Sequence, residues 1–258
     1  MLLAIDVGNT NIVYGIYDGE TLLHQFRVES SRARTSDEYM VVLHELLDHA
    51  GVRADKVDAV IVASVVPSLT EPMVALARRG FSREVLVVGP GIKSGMPILV
   101  DNPREVGADR IVNSVAAFDK VKAGVIVVDF GTATTFDCVT PKGEYLGGVI
   151  APGIQISADA LFARAAKLPR VEIAQPPKVV GRNTIHSMQS GIVYGYVGLV
   201  DGVVARIRGE LDFSCDVIAT GGLASRIGPL SQSIRVVDDD LTLRGLRLLY
   251  ERNRDPAP

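Results

Sequence analysis

The feature that most constrains this chain is a turn that occurs twice. One apolar run ends on Asp6 and passes into Val7-Gly8-Asn9-Thr10; a second, residues 125–128, ends on Asp129 and passes into Phe130-Gly131-Thr132-Ala133. The copies agree beyond the glycine. Each is followed by another apolar run, and each hairpin tip reads Gly-Glu-X-Leu, as Gly19-Glu20-Thr21-Leu22 and Gly143-Glu144-Tyr145-Leu146. The distance from aspartate to tip glycine is 13 positions in the first copy and 14 in the second, and the two aspartates lie 123 residues apart. Internal similarity of this kind implies duplicated domains, expected over residues 1–115 and 116–258. A single such turn would be read as an ordinary hairpin; its repetition in the same strand context points to a shared task.

That task is suited to polyphosphate. Glycine lets the backbone approach an anion, and the turn's N–H groups, with the side chains of Asn9, Thr10, Asn11 and Thr132, can donate to phosphate oxygens. Asp6 and Asp129 at the strand ends can hold a cation against those phosphates, directly or through water. The chain has no Gly-Lys-Ser or Gly-Lys-Thr, so this is not a Walker A loop.

The remaining pattern is α/β. Residues 2–5, 12–17 and 21–28 read as three strands, followed by a helix opening at Ser36-Asp37-Glu38 and stopping at Gly51, then a valine-rich strand over 57–65. Residues 90–103 are loose and rich in glycine and proline, a helix is expected over about 105–121, and residues 169–177 read as an exposed loop. A long helix over 184–209 carries Gly191, Gly195, Gly198 and Gly202 on one face, where another backbone, of the same chain or of a second copy, can come close. A strand at 217–219, Gly221-Gly222 and a last helix from Leu241 complete the expectation.

Composition excludes several classes. The 258 residues are 47% hydrophobic, enough for a substantial core without staples. The 27 basic and 30 acidic residues are dispersed, with no basic block to track a nucleic-acid backbone, so nucleic acid is not an expected partner. Cys138 and Cys215 lack metal-ligand spacing and are expected as buried free thiols. The N-terminus lacks a signal-peptide pattern, and the longest apolar stretch, residues 59–66, is too short to span a bilayer. A soluble cytoplasmic protein with no membrane partner is expected.

Asp109, in Gly107-Ala108-Asp109-Arg110, falls where a helix begins. The helix dipole alone would favour an acid there, and Arg110 could clamp a carboxylate or lie exposed. His24, His44, His49 and His186 have no partners at catalytic spacing and are expected at the surface or its boundary.

Taken together, Asp6-Val7-Gly8-Asn9-Thr10-Asn11, Ser64-Val65-Val66-Pro67, Gly107-Ala108-Asp109-Arg110, Asp129-Phe130-Gly131-Thr132-Ala133-Thr134-Thr135-Phe136-Asp137 and Gly147-Gly148 to Pro152-Gly153 resemble the ordered motif set of the type III pantothenate kinases, within the sugar kinase, Hsp70 and actin superfamily. The resemblance spans nearly the whole chain. It implies a homodimer of subunits with two duplicated RNase H-like, actin-like ATPase domains, each a mixed sheet with flanking helices. The implied activity is ATP-dependent phosphorylation of pantothenate at the first step of coenzyme A synthesis.

Position by position, the resemblance makes Asp6, Val7, Gly8, Asn9, Thr10, Asn11, Ile12 and Val13 the first ATP loop and Thr132 a second ATP contact. Asp6 would face Mg2+, directly or through water, and Asp129 would hold a monovalent cation, K+ or NH4+. Gly107, Ala108, Asp109 and Arg110 would bind pantothenate with Asp109 as the base, and Thr184 would reach it across the dimer interface. Where family members place a tyrosine against pantothenate, this sequence has Val100. A nucleotide-binding regulatory protein, or a kinase for another small hydroxylated acid, is the alternative; a chaperone or filament is disfavoured by length.

Overall fold

The computed structural model describes residues 1–254. These form two compact units, one comprising residues 1–96, 101–116 and those from Leu241 onward, the other residues 97–100 and 117–240.

In the first unit, β1 (Leu2–Val7) pairs antiparallel with β2 (Asn11–Asp18), which pairs antiparallel with β3 (Thr21–Glu29). On its other side β1 runs parallel to β4 (Ala59–Ser64), and β4 to β5 (Val85–Val87), giving the order β3-β2-β1-β4-β5. Helix α1 (Ser36–His49) starts on a capping box: the Thr35 side chain accepts from Glu38 N, and the Glu38 carboxylate accepts from Thr35 N at 2.7 Å. Helix α2 (Pro67–Phe81) follows β4 directly, with proline in its first turn, where the missing N–H costs nothing. Tyr39, Leu43 and Leu47 of α1 and Leu69, Met73, Leu76 and Phe81 of α2 bury against Leu3, Ile5, Val7, Ile12 and Val62. Each fully buried side chain of this kind contributes about 1.5–3 kcal/mol.

The second unit repeats the topology strand for strand. β6 (Val125–Phe130), β7 (Ala133–Val139) and β8 (Tyr145–Pro152) are antiparallel neighbours, and β9 (Asp216–Thr220) and β10 (Val236–Val237) lie parallel on the other side of β6, giving β10-β9-β6-β7-β8. Residues 97–100 lie along β8 at the sheet's edge: Tyr145 N donates to Pro97 O at 2.8 Å and Leu99 N to Tyr145 O at 2.8 Å. Helices α4 (Ile154–Arg164), α5 (Thr184–Glu210) and α6 (Ala224–Ile227) cover one face, where Ile126, Val128, Phe136 and Ala219 meet Ile154, Ile192, Val200, Val204 and Ile227.

Helix α3 (Ala108–Val121) begins in the first unit and ends in the second. The last helix, α7 (Leu241–Asn253), groups with the first unit although it follows the second unit in sequence, whereas the expected second domain, 116–258, would include it. It lies against β1, β2 and β4 on the face opposite α1 and α2: Leu243 occupies the space over Gly15, where a Cβ would meet its Cδ1 at 2.9 Å.

One further expectation needs correction. Cys138 is buried, but Cys215, just before β9, is only partly so. Helix α5 is long and apolar enough to cross a membrane by length and composition only, a test that the core helix of a soluble protein also passes. Its Ile192, Val193, Val200 and Val204 sit in the second unit's core, while Gly191, Gly195 and Gly198 face outward with nothing within 4 Å of a Cβ.

Candidate active site

The duplicated turns stand at equivalent places, joining the central strand of each sheet to its antiparallel neighbour. In the first unit Val7 pairs with Ile12, leaving Gly8, Asn9, Thr10 and Asn11 to make the turn. Gly8 N donates to Asn11 O at 3.0 Å, and the turn is held from outside by Ser30, whose Oγ donates to Gly8 O at 2.6 Å and whose N–H donates to Thr10 O at 2.9 Å. Asn9 and Thr10 are exposed, placed as donors, whereas the side chains of Val7 and Ile12 are in the core. Asp6 is half-buried at the strand end, opposite Val13 on β2 and Ala63 on β4.

The Ser64-Val65-Val66-Pro67 motif braces this turn. Val65 N donates to Val7 O at 3.0 Å, Ser64 Oγ accepts from Val66 N at 3.2 Å, and Thr70 Oγ1 of α2 donates to Ser64 Oγ at 2.9 Å.

In the second unit the turn is tighter: Phe130 pairs with Thr134, and Gly131 N donates to Ala133 O at 3.0 Å. Gly131 and Thr132 are exposed. Asp129 is half-buried beside the end of β9, where Gly221 sits at φ +92°. A Cβ on Gly221 would overlap Asp129 Oδ1 and lie 2.7 Å from Phe130 N. Gly221 therefore makes room for the Asp129 carboxylate.

Asp109 stands in the first turn of α3. Its Oδ1 accepts from Arg110 N at 2.8 Å, and a Cβ on Gly107 would lie 2.6 Å from that same oxygen, so Gly107 leaves the carboxylate its place. Burial pushes the Asp109 pKa up, opposed in part by the Arg110 N–H and the Arg110 charge. A carboxyl with raised proton affinity at a helix start is a candidate for proton chemistry as well as for capping.

The other expected contacts fall in the second unit. Val100 lies over β8, its Cγ1 3.4 Å from where a Cβ on Gly147 would sit, and Gly147 holds φ +112°. Thr184 is the exposed first residue of α5, whose cap is the Asn183 side chain, accepting from His186 N at 2.8 Å. It opens a cleft of about 880 Å3 between α4 and α5, lined also by Ser157, Met188, Gly191 and Tyr196. Gly153 and Tyr196 are functional candidates that the sequence reading did not single out individually.

The family model for type III pantothenate kinase matches residues 2–206. This chain belongs to that family. A type III pantothenate kinase of Myxococcus xanthus is 60% identical over 253 residues, covering 98% of this chain and 99% of the relative. Among solved structures, the fold is similar to the ethanolamine utilization protein EutJ of Carboxydothermus hydrogenoformans (TM-score 0.61, 16% identity, covering 96% and 89% of the two chains). It is also similar to a ROK family glucokinase of Streptomyces griseus (TM-score 0.55, 13% identity, covering 97% and 98%). The two matching sheets and these neighbours agree on the duplicated sugar-kinase and actin-like ATPase fold that the resemblance implies.

Proposed function

We propose that the chain transfers the γ-phosphoryl group of ATP to the primary hydroxyl of pantothenate, giving 4'-phosphopantothenate, the first intermediate of coenzyme A synthesis, in the cytoplasm. The observation that carries the reading is the desolvated Asp109 carboxylate with raised proton affinity, in a family-member chain that also carries two phosphate turns. A regulatory protein that only binds nucleotide would have no use for that carboxylate.

In this reading the backbone and polar side chains of residues 6–13, with Thr132, hold the phosphates. Gly107, Ala108, Arg110, Val100 and Thr184 hold pantothenate. Asp109 orients the hydroxyl and takes its proton as the oxygen forms its bond to phosphorus and the bond to the ADP oxygen breaks. Because the transition state is loose, positioning and charge neutralisation matter more than the strength of the base.

Asp6 and Asp129 offer hard carboxylate oxygens, the donor chemistry that Mg2+ and K+ or NH4+ favour. In this reading Asp6 faces a Mg2+ carried mainly by phosphates and waters, and Asp129 holds a monovalent cation. Such cations neutralise phosphate charge. The open glycine face of α5 supports a homodimer in which a second copy's backbone packs closely there.

The test is ADP release coupled to pantothenate, in potassium and again in sodium. Pantothenate-dependent release in potassium and a large loss in sodium are expected. No release in either salt refutes the kinase reading, while equal release in both removes the cation role of Asp129 alone.

A further inference from the structure

Tyr196 lies near the middle of α5, half-buried, and its hydroxyl reaches the junction of β8 and α4. It stands 3.0 Å from Pro152 O and 3.0 Å from Gly153 O, with Ser157 Oγ at 2.6 Å. The two carbonyls share the Tyr196 proton, so Ser157 Oγ–H donates to the Tyr196 oxygen. Gly153 in turn holds the second phosphate turn: its N–H donates to Thr132 O at 3.1 Å. The approach admits no side chain, because a Cβ on Gly153 would overlap Thr132 O and lie 2.7 Å from Gly131 O. Within the exposed turn Gly131 N donates to Ala133 O at 3.0 Å, and the Gly153 N–H adds a grip on Thr132 from the end of the neighbouring strand.

We propose that Tyr196 is a positioning residue for ATP, acting through Gly153 to fix the Gly131-Thr132-Ala133 turn. The inference rests on the reading of Thr132 as an ATP contact. Ring packing against the second core is separable from this role, because Tyr196→Phe keeps the ring and removes only the hydroxyl.

Equilibrium titration of the full chain with ATP in the absence of pantothenate, followed by steady-state kinetics, tests it on Tyr196→Phe, Thr132→Ala and the double variant. Tyr196→Phe is expected to weaken ATP binding about fivefold, the scale of one hydrogen bond, and to raise KM for ATP equally, with kcat at saturating ATP little changed. In the double variant the combined loss is expected to be smaller than the product of the single losses, since both changes act on one turn. Unchanged ATP affinity in Tyr196→Phe, with or without a lower Tm, overturns the proposal, as do fully multiplicative losses. Unchanged affinity in Thr132→Ala instead refutes the ATP-contact reading beneath it.

Discussion

Gly221→Ala should disable the second turn while leaving the fold standing. The added Cβ overlaps Asp129 Oδ1 and would lie 2.7 Å from Phe130 N and 2.8 Å from Phe130 C. Ordinary contact needs about 3.5 Å, so the methyl or the Asp129 strand end must shift by roughly 0.8 Å. The residue also sits at φ +92°, which for a side-chain-bearing residue costs on the order of 1–3 kcal/mol. A loss of that size lowers Tm by about 2–12 °C in a chain of this length. A displacement of nearly 1 Å at a cation-holding carboxylate costs turnover about 100-fold. Potassium-dependent ADP release and a thermal melt measure the two effects separately. Gly89→Ala is the comparison, since a Cβ there meets nothing within 4 Å and the position lacks a positive φ; it should be near neutral. Retention of wild-type turnover and potassium dependence in Gly221→Ala would refute the assignment of Asp129 to the cation.

Asp109→Asn should reduce kcat by two orders of magnitude or more, on the order expected for loss of a general base, with ATP affinity retained in a direct titration. The folded pKa of Asp109 is raised, so its contribution to stability is greatest below the unfolded value and declines as pH rises through the folded one. The acid limb of the wild-type kcat profile should therefore lie above the ordinary carboxylate range, and the Asn variant at neutral pH should melt no lower than wild type. Val100→Tyr should lower KM for pantothenate, since Val100 faces the side-chain-free Gly147; an unchanged or higher KM in steady-state assays would mean that the valine is already compensated.

The turns, hairpins and long helix were legible because their signals are local: an apolar run, an aspartate, a glycine, a tip. Helix α2 was not, since Pro67 at its start and Pro72 within it read as breaks, although proline is well tolerated in a first turn. Helix α4 was hidden by Pro152-Gly153, which reads as a loop but supplies its cap. Asp109 was visible as a position, yet its desolvation depends on tertiary surroundings that no spacing records. Gly153 and Gly221 were visible as glycines, but what they approach, Thr132 and Asp129, lies 21 and 92 residues away in sequence. Tyr196 carried no signal at all, because a tyrosine at helical spacing looks like core.

The return of α7 to the first unit has a consequence for synthesis. During translation the sheet β3-β2-β1-β4-β5 emerges early, but the face that receives Leu241, Leu243, Leu246 and Leu249, all buried in the finished fold, stays uncovered until the whole of the second unit has been made. The nascent chain thus carries a greasy, half-dressed sheet for more than half its length, and the later domain can mature before the earlier one.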